Sequence, residues 1–151
     1  MIQRKQTLFL FQLVFFGIAL LFIANHTVVE AEGTTDVFLV PFHNSHLLST
    51  PGHTAAIALN FITLLLAFAV IFLYKKRELQ VRLSYLLMAL WLILTLMLVL
   101  CPFVQHADTI QSINLNWFAV AIGVVAIVAA YMAVRFIKKD IALLKSADRI
   151  R

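Results

Sequence analysis

The chain has 151 residues, 63% of them hydrophobic and 13% charged, and a formal net charge of +5. Soluble domains carry about 45–50% apolar residues, and a domain of this size keeps much of its surface exposed, so water is excluded as the solvent for most of this chain. A single cysteine excludes an internal disulfide and the thiol–disulfide chemistry that needs one.

The first apolar run, about 7–24, follows Arg4 and Lys5. A basic start and an apolar stretch also describe a signal peptide. The stretch is long for that role, and "IANHT" is a poor small-x-small cleavage site, so the run reads as a retained helix, with the signal peptide as the alternative.

Segment 25–54 comes next. It holds two β-prone runs, Thr27–Ala31 and Asp36–Phe42, around Gly33, which predict a small β-hairpin. Pro41 and Pro51 argue against long strands, and "STPGHT" reads as a turn with Thr50 or Thr54 available to cap the next helix. All five histidines, His26, His43, His46, His53 and His106, fall outside the apolar runs. On loops and without a cysteine beside them, they are expected to be interfacial polar residues and not metal ligands. "NHT" at 25–27 matches an N-glycosylation acceptor but abuts the membrane.

The second run, about 55–74, carries Asn60 and Thr63. An amide in lipid needs a partner, so Asn60 is expected to face another helix. The island "YKKRELQVR", 74–82, then reads as a cytoplasmic turn, with Glu78 spaced to pair with Lys75 or Arg82. The third run, about 83–101, is leucine-rich and contains Trp91 and Thr95; Pro102 is expected to stop it after Cys101. In the second loop, 102–116, "DTI" matches a short bacterial O-glycosylation pattern at Thr109.

The fourth run, about 117–134, places Gly123, Ala126, Ala130 and Ala133 on one helix face, a pattern for close packing within the bundle or against another subunit. The tail, 135–151, continues as an amphipathic basic helix with Lys138, Lys139, Lys145 and Arg149 around an apolar stripe. Its expected neighbours are anionic headgroups or a protein partner.

The twelve Lys and Arg fall before the first run, between the second and third, and after the fourth; the other two loops hold none. Cationic loops stay on the cytoplasmic side, so this sorting predicts four spans with both ends inside. It also makes anionic lipid a sufficient partner for the charge, with no nucleic acid required. None of the four runs contains Asp, Glu, Lys, Arg or His. That argues against a proton relay, a carboxylate-dependent exporter and a mid-membrane haem.

The opening "MIQRKQTLFL" and the closing "KSADRIR", with four spans between them, resemble an uncharacterised family of Bacteroidota inner-membrane proteins, domain of unknown function 4293. The resemblance covers the whole chain. It implies a bacterial inner-membrane bundle and carries over no catalytic residue. Both motifs lie on the expected cytoplasmic side, where Arg4 and Asp148 are placed to pair.

The sequence thus predicts an all-α membrane protein, one integral domain over 1–151: a four transmembrane helix bundle, both ends inside, with a small extracytoplasmic hairpin. The expected function is non-enzymatic: an accessory or assembly subunit of a larger envelope complex, without cofactor or metal, contacting other inner-membrane proteins. The alternative is a binder or transporter of a small apolar molecule or lipid, using an interhelical cleft near Asn60, Thr63, Trp91, Thr95 and Gly123. A membrane enzyme built on the outer histidines with Glu30, Glu32 and Asp36 is the third class.

Overall fold

A computed structural model describes residues 3–30, 33–39, 51–104 and 110–148. Four helices account for most of them: α1, Gln3–Phe22; α2, Pro51–Phe72; α3, Arg77–Val104; and α4, Trp117–Asp148. Three are long and apolar enough to cross a membrane, over Gly52–Phe72, Arg77–Leu100 and Trp117–Leu144, while the apolar part of α1, Thr7–Phe22, is shorter.

The helices form a ring in which α1 packs on α2 and α4, and α3 packs on α2 and α4. Neighbours run antiparallel. Gly17, late in α1, meets Asn60, early in α2. Gln80, at the start of α3, reaches Val70 near the end of α2. Phe9 of α1 stacks on Phe136 of α4 at 5.5 Å. The interior is Leu10, Leu13, Leu20, Val70, Leu87, Trp91, Leu94 and the alanines of α4. The outside is as apolar as the inside: Leu8, Phe11, Phe15, Phe22, Leu65, Phe72, Leu96, Leu100 and Val128 are all exposed. That distribution is untenable in water and ordinary in hydrocarbon.

A three-stranded antiparallel sheet lies at one end of the ring. It comprises β1 (Ala24–Glu30), β2 (Gly33–Phe38) and β3 (Ile110–Leu115), in the order β2-β1-β3. The predicted hairpin is β1–β2, with Thr27 opposite Asp36 and a hydrogen bond from Thr27 Oγ1 to Asp36 Oδ1 at 2.8 Å. The third strand was not foreseen; it comes from the second loop and pairs His26 with Leu115 and Val28 with Ile113. Alternate residues of β1 point down onto the helix ends, burying His26 and Val28, and Val37 and Leu39 complete that underside. Asn116 joins sheet to bundle. Its side chain donates to Ala24 O at 2.7 Å and accepts from Phe118 N at 3.0 Å, which makes it the N-cap of α4.

Two boundary expectations are corrected. Pro102 does not stop α3, which runs on to Val104. A proline in the last turn removes only one intrahelical bond, where the helix is about to end and its final carbonyls are unpaired anyway. The island 74–82, expected as a turn, does turn the chain, but over fewer residues. Leu73–Lys75 form a single 3-10 turn and α3 begins at Arg77, so the basic residues ride on helix ends. On the capping expectation, α2 begins at Pro51, so Thr54 already lies inside its first turn, and Thr50 lies outside the described residues.

Candidate functional site

Polar residues within the bundle collect at three levels. At mid-depth, Asn60 Nδ2 donates to Gly17 O at 3.1 Å. Gly17 permits this, because a Cβ there would stand 2.9 Å from Leu64 Cγ and push α1 off α2. Asn60 therefore bridges two helices as expected. Thr63 and Thr95 do not: Thr63 Oγ1 donates to Asn60 O at 2.7 Å and Thr95 Oγ1 to Trp91 O at 2.8 Å, each within its own helix. Thr95 also fills the notch at Gly123, where a Cβ would lie 2.5 Å from Thr95 Oγ1. The α4 small-residue face is thus used inside the bundle, with Ala126, Ala130 and Ala133 fully buried. Trp91, 1% exposed, is core and not belt, whereas Trp117 and Tyr74 are exposed near the helix ends. Asn60, Thr63, Trp91, Thr95 and Gly123 are all closed off from the outside.

At the end away from the sheet, Arg77 of α3 and Asp140 of α4 form an ion pair at 2.7 Å. Arg77 takes this partner from another helix; Glu78 and Arg82 are exposed, and the side chain of Lys75, the other partner expected for Glu78, lies outside what the structure describes. Gln80 Nε2 donates to Val70 O at 3.2 Å, closing the tight α2–α3 connection, and Ser84 Oγ donates back to Gln80 O at 2.8 Å. Lys138 lies 2.7 Å from Tyr85 Oη and 4.9 Å from the centre of that ring, so it is held against α3 and not extended from the surface. Lys76, Arg82, Arg135 and Lys139 complete an exposed basic collar at this end. The side chains of Arg4, Lys145 and Asp148 lie outside what the structure describes, as does Arg149, and the Arg4–Asp148 pairing with them. Asp140→Asn is expected to destabilise the bundle by about 1–3 kcal/mol, less than for a fully buried pair because the Arg77 side chain keeps 23% exposure. The exchange Arg77→Asp with Asp140→Arg should recover part of that loss in detergent melting.

At the sheet end, Asn25 and His26 of β1 and His53 of the first turn of α2 are all buried. They line a cavity of about 20 Å³, walled further by Leu39, Ala56 and Met97. The Nε2 atoms of both imidazoles and both amide atoms of Asn25 are buried without a hydrogen-bond partner among the described residues. Burial, and secondarily the neighbouring charge of His53, lowers the His26 pKa to about 4. Its imidazole is therefore neutral near pH 7 and available as a lone-pair donor. The structure brings His53 to the same cavity as His26, while His43, His46 and His106 lie outside the described residues. Sequence spacing carried no sign of this pairing, because β1 reaches α2 only through the fold. Asn25 is 3% exposed, which leaves the "NHT" pattern no accessible amide. Asp36 is exposed on the sheet and bonded to Thr27; Glu32 and Thr109 lie outside the described residues.

A family model matches residues 2–150. The chain belongs to the family described as Domain of unknown function (DUF4293). No curated protein and no solved structure matches it. In this DUF4293 chain the three polar levels are therefore read from their own chemistry. The middle level consists of packing contacts, the basic end is an electrostatic clasp between α3 and α4, and the sheet end gathers buried imidazole and amide atoms without hydrogen-bond partners among the described residues around a small cavity.

The His26 environment has a pH signature. Its folded pKa lies below the ordinary value of 6.5, so the unfolded state binds more protons between the two values. Stability is fully present above about pH 6.5 and is lost as pH falls toward 4, by about 2 kcal/mol after allowance for solvent screening. Melting of the purified chain at pH 7.5 and pH 4.5 should show this loss, and His26→Gln should flatten the profile.

Proposed function

We propose that this protein is a non-enzymatic, multi-pass subunit of the bacterial inner membrane that assists or joins a larger envelope complex. Four helices cross the bilayer, with both chain ends and the basic collar in the cytoplasm and the sheet outside. The shorter α1 serves as the fourth span, because it sits between α2 and α4 and carries an outer stripe of Leu8, Phe11, Phe15, Ile18 and Phe22. The basic collar at one end and its absence from the described sheet end support the orientation.

One observation carries the assembly role. α4 has 32 residues and so is about 48 Å long, against a hydrocarbon core of about 30 Å. Its final turns stand beyond the basic collar, yet Leu143 and Leu144 remain nearly half exposed there. Exposed leucines past the bilayer fit a partner surface, with Lys138 and Lys139 at the anionic headgroups. The cleft reading gains no such support, since Asn60, Trp91 and Thr95 are packed shut.

Crosslinking in native membranes followed by mild-detergent pulldown and mass spectrometry tests the role. Stoichiometric membrane partners that are lost on Leu143→Glu with Leu144→Glu support it. A chain recovered alone, or partners indifferent to that change, counts against it.

A further inference from the structure

We propose that the cavity beneath the sheet binds one cuprous ion through His26, His53 and Met97. Three observations converge on this. First, both imidazole Nε2 atoms are buried without hydrogen-bond partners, and both residues, each less than a tenth exposed, line the same cavity. Orphaned buried acceptors are costly, and structures tolerate them where a ligand completes them. Second, the cavity of about 20 Å³ has room for one small occupant and no more. Third, the ligand chemistry is selective. Met97 lines the cavity, and the described lining includes no carboxylate and no thiol. Two neutral imidazoles and a thioether form a soft, uncharged donor set.

Softness decides which ion fits. Zinc sites use four ligands, commonly thiolates or a third imidazole, and a doubly charged ion here would lack a counter-charge. Calcium and magnesium need oxygen donors. Thioether sulfur with imidazole nitrogen selects copper, and the singly charged Cu(I) costs least to bury among neutral ligands. A trapped water is the competing occupant, since it also could donate to both imidazoles.

The supporting fold suits a metal site. His26 is held in the central strand of the sheet and His53 in the first turn of α2, so both ligands rise from regular elements, and Met97 comes from a third element, α3. Ligands contributed by three elements make the ion a clasp between the sheet and the helix ends.

The test uses the purified full-length chain in detergent, under anaerobic reducing conditions, with Cu(I) supplied as its acetonitrile complex against a chromophoric chelator. One Cu(I) per chain is expected. Affinity should fall about 100-fold in His26→Gln or His53→Gln and about tenfold in Met97→Leu. X-ray absorption of the copper-loaded chain should show one sulfur neighbour, absent in Met97→Leu. That variant conserves volume and so reports on ligation even if the histidine variants fail to fold. Wild-type affinity no greater than that of the His26→Gln, His53→Gln double variant would place any bound copper elsewhere and overturn the proposal. A spectrum without sulfur, or zinc bound as tightly as copper, would overturn it as well.

Discussion

Trp91→Ala is expected to lower the stability of the bundle by about 2–4 kcal/mol, the largest effect of any single truncation in the core. Trp91 is the largest fully buried side chain, and its loss leaves a void that α3 and α4 can only partly close. In a soluble protein the figure would be higher. Here the transfer term shrinks because lipid and detergent are as apolar as the bundle interior, and the packing and cavity terms remain. Trp91→Phe separates packing from ligand binding. The indole N–H has no hydrogen-bond partner among the described residues, so removing it sacrifices no bond. Phe should therefore cost less than about 1.5 kcal/mol. If Phe proved as damaging as Ala, the indole nitrogen would be engaged with something, and the interhelical binder would return as the leading reading. Thermal unfolding of the three proteins in one detergent decides between them.

Gly123→Val is expected to cost about 3 kcal/mol, and Gly123→Ala about half of that. A Cβ at position 123 would lie 2.5 Å from Thr95 Oγ1, 3.0 Å from Thr95 Cγ2 and 3.2 Å from Thr95 Cβ. Rotating Thr95 gives no relief, because every heavy atom of its side chain is close and Oγ1 is already bonded to Trp91 O. The helices must separate instead, which loosens the contact running down through Ala126 and Ala130. Thr95→Ala should rescue much of the Gly123→Ala loss, since only the Cβ contact at 3.2 Å then remains. Equal losses with and without Thr95→Ala would show that the two residues are not the contact point between α3 and α4.

These two positions also show what sequence patterning can and cannot reach. The stripe of Gly123, Ala126, Ala130 and Ala133 was legible from helical spacing alone, because small residues at i, i+3 and i+7 must share a face. Which surface the face meets was not legible, since the same spacing suits a second subunit. Likewise Asn60 announced a need for a partner by being an amide among hydrocarbons. Its partner, Gly17 O, depended on how closely α1 and α2 approach, which Gly17 decides. Asp140, in the tail, carries no local mark of its partner, because only the approach of α3 to α4 brings Arg77 to 2.7 Å. The third strand escaped notice because "IQSINL" is a modest β segment whose pairing with β1 joins residues far apart in the chain.

By itself the sequence determined the solvent, the number of helices and the sorting of cationic groups to one end, because hydrophobicity and charge act residue by residue and their periodicities survive in one dimension. Tertiary structure alone decided that β1 would lie across the mouth of the bundle and bring His26 to His53 and Met97. Convergence of that kind depends on long-range pairing and helix approach, and neither leaves a local trace in the order of the residues.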